Sequence, residues 1–558
     1  MVNTSASLLA ALLACALLAA PAEAGKATRN GLGDINYVDE GSETNNVTVS
    51  VPPASGNYRW TDAASTTSTA DAPCTADNTI KAAECPNDNA RLMEVALGSG
   101  NDKVNASVVK IDMLAFGADG NDDFTLGSGN DLYFGVDGND IVHAGDGDDR
   151  MADAVFAFFG FGGGIAGSGN DQMYGEGGND EFQAGSLAND GAGADTMDGG
   201  LGIDLVEYRN RTGDLSVSVN NPLLGDGSPG ENDAVVDVER VRTLAGNDTI
   251  SDSSADGLDN TFYGMAGNDT LSGGKGKDVL YGGDELGTTG TGDDTLDGGE
   301  GADRFVGGDG TDTATYATRS AAVNVSLDGA ANDGADGEGD NVSDDVEVVV
   351  GGSAGDVLGG SDGRERLRGG DGGDAIDGGD AADTLDGEGG DDVIAARDGA
   401  PDTVTCGDGN DMVNADKEDT VAADCELVDR GPADTPPGGA PGGDPGVSNP
   451  DGPPILFLVA EKSQKLKKGV RLHLACSEVC SVSLSVRVAS KKVAKRLKVK
   501  RTYVKRTRTL AGAQQVTLSL KSPRRLRRAR KVKVTLVAVA KDPAGHASSA
   551  KRPVTLSR

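Results

Sequence analysis

The chain has 558 residues, of which 84 are glycine and only 4% aromatic, with a formal net charge of −39. This length argues against a single ordinary compact domain, and so few large apolar groups exclude collapse around a conventional core without another source of cohesion. The charge is also divided: residues 455–558 carry 28 Lys+Arg against 3 Asp+Glu, a net of +25, leaving 22 against 86, a net of −64, for the remainder.

In chain order, residues 1–24 read as a signal peptide: the apolar run "SLLAALLACALLAAPAEAG" reaches a small-residue cleavage site at Ala22-Glu23-Ala24. "LLAC" at Cys15 has the look of a lipoprotein box, but the apolar run continues past it, which favours ordinary cleavage. No later stretch reaches the about 20 apolar residues of a membrane span. The mature chain is therefore expected to be secreted, extracellular or attached to a cell surface, with no transmembrane span. Beyond Cys15, six cysteines fall in three close couples, Cys74/Cys85, Cys406/Cys425 and Cys476/Cys480, and an even count in an exported chain predicts disulfides. Zinc is the rival for "CSEVC", but four ligands are needed and His473 is the only histidine nearby.

Residues 25–96 hold β-like stretches such as "NNVTVSVP" and read as a small N-terminal β module or cap stapled by Cys74 and Cys85. From 97 to 430 a nine-residue unit, G-G-x-G-x-D-x-(apolar)-x, recurs 22 times, four without a gap at 117–152 and five at 351–395. Position six is aspartate in every unit except at Glu365, and position eight is apolar throughout, as in Phe124, Met173, Leu271, Leu296, Ile376 and Val413. Six small or acidic residues make a turn and three make a short strand whose middle side chain points inward. Two units then complete a coil, so units n and n+2 stack about 4.8 Å apart. Stacking aligns the position-six carboxylates, and like charges at such spacing oppose folding by roughly 1 kcal/mol per pair even in water unless a cation intervenes. Oxygen-only ligands of flexible geometry favour Ca²⁺, with Mg²⁺ second.

These units resemble the hemolysin-type calcium-binding repeats of RTX proteins. The resemblance implies an all-β fold, a parallel β-roll (β-solenoid) of nonapeptide repeats that binds multiple Ca²⁺ between its turns. The metal ligands it implies are Asp122, Asp131, Asp140, Asp149, Asp171, Asp180, Asp195, Asp204, Asp269, Asp278, Asp294, Asp303, Asp312, Asp356, Glu365, Asp374, Asp383, Asp392, Asp402 and Asp411. Carried over unit by unit, Asp122 pairs with Asp140, Asp131 with Asp149, Asp356 with Asp374, Glu365 with Asp383 and Asp374 with Asp392. Extra residues at 153–165, 184–189 and 282–288 depart from the pattern and are expected to break the register there.

A longer period overlies the first. "IDLVEYRNRTGDLSVSVN" at 203–220 recurs as "TDTATYATRSAAVNVSLD" at 311–328, so Asp204, Tyr208, Arg211, Glu239 and Asp248 match Asp312, Tyr316, Arg319, Glu347 and Asp356, each 108 positions later. The two insert modules, 204–248 and 312–356, read as longer turns of the same solenoid. Within the second, Asp336, Glu338, Asp340 and Glu347 have EF-hand-like spacing, but Asn341 stands where that loop needs glycine, so a solvated acidic loop is the expectation. The phenylalanine-rich 154–167 is expected to bury its rings.

A Pro/Gly linker occupies 431–454, and 455–558 alternates apolar and polar residues in about seven short strands, which predicts a basic, Ig-like β-sandwich. Its charge points to anionic cell-envelope polymers as partners. Nucleic acid is not expected, since stacking groups there reduce to Tyr503 and Phe457. No enzyme is expected: three histidines lie far from any nucleophile, no H-E-x-x-H occurs, and the "GGSAG" at Ser353 sits in a repeat turn rather than a strand–turn–helix. The sequence therefore reads as a secreted calcium-binding scaffold. A surface adhesin or matrix component is the alternative, and a toxin or hydrolase a more distant one.

Overall fold

The computed structural model describes most of the strands of residues 26–89, residues 90–430 apart from 153–168, 185–192, 209–210, 222–224, 253, 255–256 and 285–290, and eight strands between 456 and 557. Residues 1–24, expected to be a signal peptide, the expected linker 431–454, the phenylalanine-rich stretch 154–167, Cys15 and Cys74 lie outside the described residues. The chain divides into two units, Met1–Lys275 with Tyr281–Gly292, and Gly276–Leu280 with Asp293–Arg558.

In the first unit the nine-residue beat becomes short parallel strands on two alternating sheets. Asp123–Thr125 pairs with Ile141–Asp146, which pairs with Gln172–Gly177 and then Thr196–Asp198. The other sheet runs Leu132–Asp137, Arg150–Ala152, Glu181–Gln183, Leu205–Glu207. Each strand thus pairs with the unit two ahead, as the turn-plus-strand geometry requires. The inward position-eight residues stack in register, Phe124 on Val142, Met173 and Met197, and Tyr133 on Met151, Phe182 and Val206. All eight are buried, so the core is a column of single side chains rather than a central mass.

Residues before 97 extend these same sheets. Ile35–Val38 pairs in parallel with Leu92–Ala96, and Asn46–Ser50 with Lys103–Asn105. Tyr58–Asp62 and Ala82–Cys85 then pair antiparallel at the outer edge, where Trp60 is buried. The N-terminal residues therefore form the first coils without the glycine pattern.

Each insert exchanges one face of the roll. In the first, Ala234–Val236 is the last strand of the sheet that holds Thr196–Asp198, while Ser216–Val219 starts a new sheet with Thr249–Asp252 and Thr270–Ser272. In the second unit, Asn341–Val342 ends the ladder of Arg304–Val306, and Val323–Ser326 starts one that continues through Val357–Gly359, Ala375–Asp377, Val393–Ala396 and Met412–Ala415. The alternating strands "LSVSV" and "VNVSL" are these founding strands, and their burial on alternate residues supplies the new face.

The basic region forms two sheets of three and five strands, mostly antiparallel, with Lys531–Lys541 pairing along its length with Ala547–Ser557. Cys476 ends Val470–Cys476 and Cys480 begins Cys480–Val488; the side chains of both lie outside the described residues.

Candidate metal centre

The position-six aspartate does two things with its two oxygens. Oδ1 accepts the backbone N–H of the position-six residue one coil earlier: Asp122 N–H to Asp140 at 2.9 Å, Asp131 to Asp149 at 2.7 Å, Asp356 to Asp374 at 2.8 Å, Glu365 to Asp383 at 3.0 Å and Asp374 to Asp392 at 2.9 Å. All five pairs implied by the resemblance are formed as ladder steps. Where position one of the turn is glycine, the other oxygen, Oδ2, folds back over it, as at Gly117, Gly369 and Gly387.

That glycine is where the repeat's first letter is explained. A Cβ on Gly369 would stand 2.2 Å from Asp374 Oδ2 and 2.8 Å from the Gly387 carbonyl oxygen of the next coil. A Cβ on Gly387 would likewise meet Asp392 Oδ2 at 2.4 Å and the Cys406 carbonyl at 2.6 Å. The missing side chain leaves a cradle bordered by a carboxylate and a carbonyl oxygen. Oδ2 of Asp122, Asp180, Asp204, Asp303, Asp312, Asp374, Asp383 and Asp392, and Oε2 of Glu365, are buried there with no hydrogen-bond donor; Oδ2 of Asp149 and Asp411 are equally buried and donor-free in units whose position one is Ala144 and Cys406.

Burying a carboxylate oxygen without a donor disfavours its charge. Desolvation, reinforced by Asp140 and Asp102, pushes Asp122 up to about 8; desolvation with Asp392 and Asp356 does the same to Asp374. Asp149 rises to about 8 and Asp171, Asp180, Asp312, Asp383, Asp392 and Asp402 to about 7, burial being the main cause in each. Asp131, Asp140 and Asp303 rise less, to about 6; Asp131 and Asp140 have an Oδ2 that accepts from Gly127 N–H or the Tyr133 hydroxyl, while Asp303 feels the Arg319 charge. Rows of desolvated carboxylates beside carbonyl oxygens fit a hard divalent cation held by oxygen alone. The position-six residues would hold Ca²⁺, which supplies the positive charge the rows lack.

The expected ligands are placed consistently. All are buried except Asp195, which is half-buried. Asp269 accepts from Asp248, Asp278 donates its N–H to Asp303, and Asp294 donates to Asp312. The predicted breaks in register do not occur. Asp140 reaches Asp171 and Asp149 reaches Asp180 across 31 residues, and Asp278 reaches Asp303 across 25, at 2.7 to 2.9 Å. The ladder closes across all three stretches, so their extra residues do not shift the strands on either side.

The rows also extend beyond the repeat motif. Asp233 and Glu239 accept from Asp195 and Asp204, Asp340 and Glu347 from Asp303 and Asp312, and Asp419 and Glu426 from Asp402 and Asp411. The expectation of a solvated acidic loop at 336–347 is overturned: Asp336 is exposed, but Asp340 is fully buried and Glu347 closes a separate row, so no EF-hand-like cluster forms. The matching positions of Glu239 and Glu347 were the available signal. Beside the aspartates, position-five residues make an exposed second ladder, Asn121 N–H to Asn101 Oδ1 and Asn139 N–H to Asn121 Oδ1.

Cys406 and Cys425 form the expected disulfide, with Cα atoms 5.2 Å apart. Asp424 joins them in a tight cluster, but bonded sulfurs are not thiolate ligands, so this is no metal site. Cys85 is disulfide-bonded. No described helix is long and apolar enough to cross a membrane.

Residues 126–152, 165–189, 187–206, 254–285, 283–314 and 359–394 match the RTX calcium-binding nonapeptide repeat (4 copies). The unmatched gaps at 207–253 and 315–358 cover most of the two inserts. No curated protein matches the chain significantly.

Proposed function

We propose that this chain, a carrier of RTX calcium-binding nonapeptide repeats, is a secreted, non-enzymatic scaffold whose roll is set by calcium. The observation that carries this reading is the row of buried, donor-free Oδ2 atoms over the position-one glycines. Without a cation, folding must desolvate and align these carboxylates; with one, ligation becomes folding free energy. Extracellular calcium modules work at about 10⁻⁴ to 10⁻³ M, so the chain stays loose before export and stiffens outside. Circular dichroism of the full chain in EGTA and in millimolar Ca²⁺ tests this: β signal should rise with calcium, and a chelator-insensitive spectrum would sink it.

The charge of 455–558, +25 against −64 elsewhere, favours a second role as a surface adhesin or matrix component that grips anionic envelope polymers. Retention of the full chain on such polymers, compared with a chain ending at Arg430, decides this. Equal retention of both argues against it.

A further inference from the structure

Outside the nonapeptide units one short turn occurs three times: "DVERV" at 237–241, "DVEVV" at 345–349 and "DCELV" at 424–428. In each, the glutamate accepts the backbone N–H of the position-six aspartate one coil earlier: Glu239 from Asp204 at 2.9 Å, Glu347 from Asp312 at 2.9 Å and Glu426 from Asp411 at 3.0 Å. The middle residue, Val238, Val346 or Cys425, is buried, and a strand starts directly after the glutamate. A nonapeptide turn sets its position-one carbonyl five residues before its carboxylate; here the aspartate carbonyl is two residues before it, and the longer arm of glutamate supplies the reach.

The first two copies complete a cradle of the kind found at Gly369. A Cβ on Gly199 would meet Asp204 Oδ2 at 2.4 Å and the Asp237 carbonyl oxygen at 2.2 Å; a Cβ on Gly307 would meet Asp312 Oδ2 at 2.5 Å and the Asp345 carbonyl oxygen at 2.6 Å. Asp204 and Asp312 are fully buried, and their Oδ2 atoms have no hydrogen-bond donor. Among the described residues no lysine or arginine is ion-paired with Asp204, Glu239, Asp312 or Glu347, and the buried guanidiniums of the inserts are occupied elsewhere, Arg211 with Glu231 and Arg319 with Glu338. In the third copy Cys406 stands where Gly199 and Gly307 stand, five residues before its aspartate, and is bonded to Cys425, the counterpart of Val238 and Val346. The joint between coil and turn is covalent there. In the two inserts it is made of two carboxylates and a carbonyl oxygen, with no counter-charge from the chain.

We propose that the turns Asp237–Glu239 and Asp345–Glu347 each complete a calcium site of a second type. Its donors are Asp204 Oδ2, the Asp237 carbonyl oxygen and the Glu239 carboxylate in the first insert, and Asp312 Oδ2, the Asp345 carbonyl oxygen and the Glu347 carboxylate in the second. The inference rests on the calcium reading of the nonapeptide turns and adds two sites whose second half lies outside the repeat. One aspartate, one glutamate and one backbone carbonyl suit the flexible oxygen shell of Ca²⁺, and two facing carboxylates oppose folding until a cation joins them. Calcium therefore tethers each insert to the coil before it, as the disulfide does in the third copy.

Native mass spectrometry of the full chain in Ca²⁺ counts the bound ions. Glu239→Gln and Glu347→Gln keep an oxygen that can accept the Asp204 or Asp312 N–H but lose the charge, so each should bind one calcium fewer than wild type, and the double variant two fewer. Asp336→Asn, at an exposed carboxylate of the second insert, should bind the wild-type number. Full calcium counts in folded Glu239→Gln and Glu347→Gln chains would make the glutamates hydrogen-bond acceptors only and overturn this inference while the calcium reading stands. A wild-type chain that binds no calcium overturns both. Should the variants fail to fold, calcium anomalous scattering from wild-type crystals decides: peaks beside both Gly199 and Gly307 support the proposal, and peaks confined to steps between nonapeptide turns overturn it.

Discussion

Replacing Asp374 by asparagine should act in opposite directions with and without calcium. Asparagine keeps the Oδ1 that accepts the Asp356 N–H at 2.8 Å but removes the charge at Oδ2. In the metal-free roll Asp374 is raised from 3.8 to about 8, chiefly by desolvation. At pH 7 folding must therefore protonate a group that is ionised when unfolded, a linkage cost of about 4 kcal/mol at about 1.4 kcal/mol per pH unit. Against that, the new amide N–H₂ is buried without an assured acceptor, costing about 1–3 kcal/mol. Asp374→Asn should thus stabilise the calcium-free chain by about 1–3 kcal/mol. In calcium it removes one partner from a buried charge pair and should destabilise by about 3 kcal/mol. Urea unfolding of the wild-type and variant chains, each in EGTA and in millimolar Ca²⁺, reads both signs. Equal destabilisation in the two buffers would refute the reasoning and make Asp374 a hydrogen-bonding residue only.

The same carboxylates set a pH dependence. Because their folded values lie above the unfolded 3.8, the stability they contribute is present below about 4 and lost as pH rises through about 6 to 8. The chelated chain should therefore gain β signal on acidification, while the calcium midpoint moves to higher concentration as protons compete. Gly138→Ala should unfold the neighbouring coils, since Gly138 has φ +135° and its Cβ would stand 1.7 Å from the Gly120 carbonyl; a loss of about 3 kcal/mol or more in melting is expected, whereas Gly213→Ala, with nothing within 4 Å, should be near neutral. Replacing both Cys406 and Cys425 by serine removes a bridge across a separation of 19 residues and should cost about 3 kcal/mol in calcium-saturated denaturation.

Much of the roll is legible in the sequence because one period fixes several things together. A nine-residue unit with aspartate at six and an apolar residue at eight sets strand, turn and n to n+2 stacking, which is why Phe124 meets Val142 and Asp122 meets Asp140. The cysteine spacing likewise anticipated the Cys406–Cys425 bridge. What the period does not carry is where the coil continues without it. Asn46–Ser50 takes its place in the row through backbone pairing and the N–H of Asn45, which donates to Asp102, so no glycine marks it. Asp233 and Asp340 enter the ladders from loops of irregular length, where one-dimensional spacing says nothing about which carboxylate returns to the row. The exchange of sheets at each insert depends on strand partners more than 30 residues away, such as Val217 and Ile250, and Arg211 and Arg319 were visible as a matched pair but not as buried cations. Extra residues proved less disruptive than their count implied, because the ladder closes across them without shifting the strands on either side.

The central claim is that calcium lies along the aspartate rows over the position-one glycines. Crystals of the full chain grown with Ca²⁺ and measured for calcium anomalous scattering test it most directly. Peaks within ligand distance of Oδ2 of Asp122, Asp374 and Asp392, beside Gly117, Gly369 and Gly387, are the predicted result. An ordered roll with no anomalous density along those rows would contradict it.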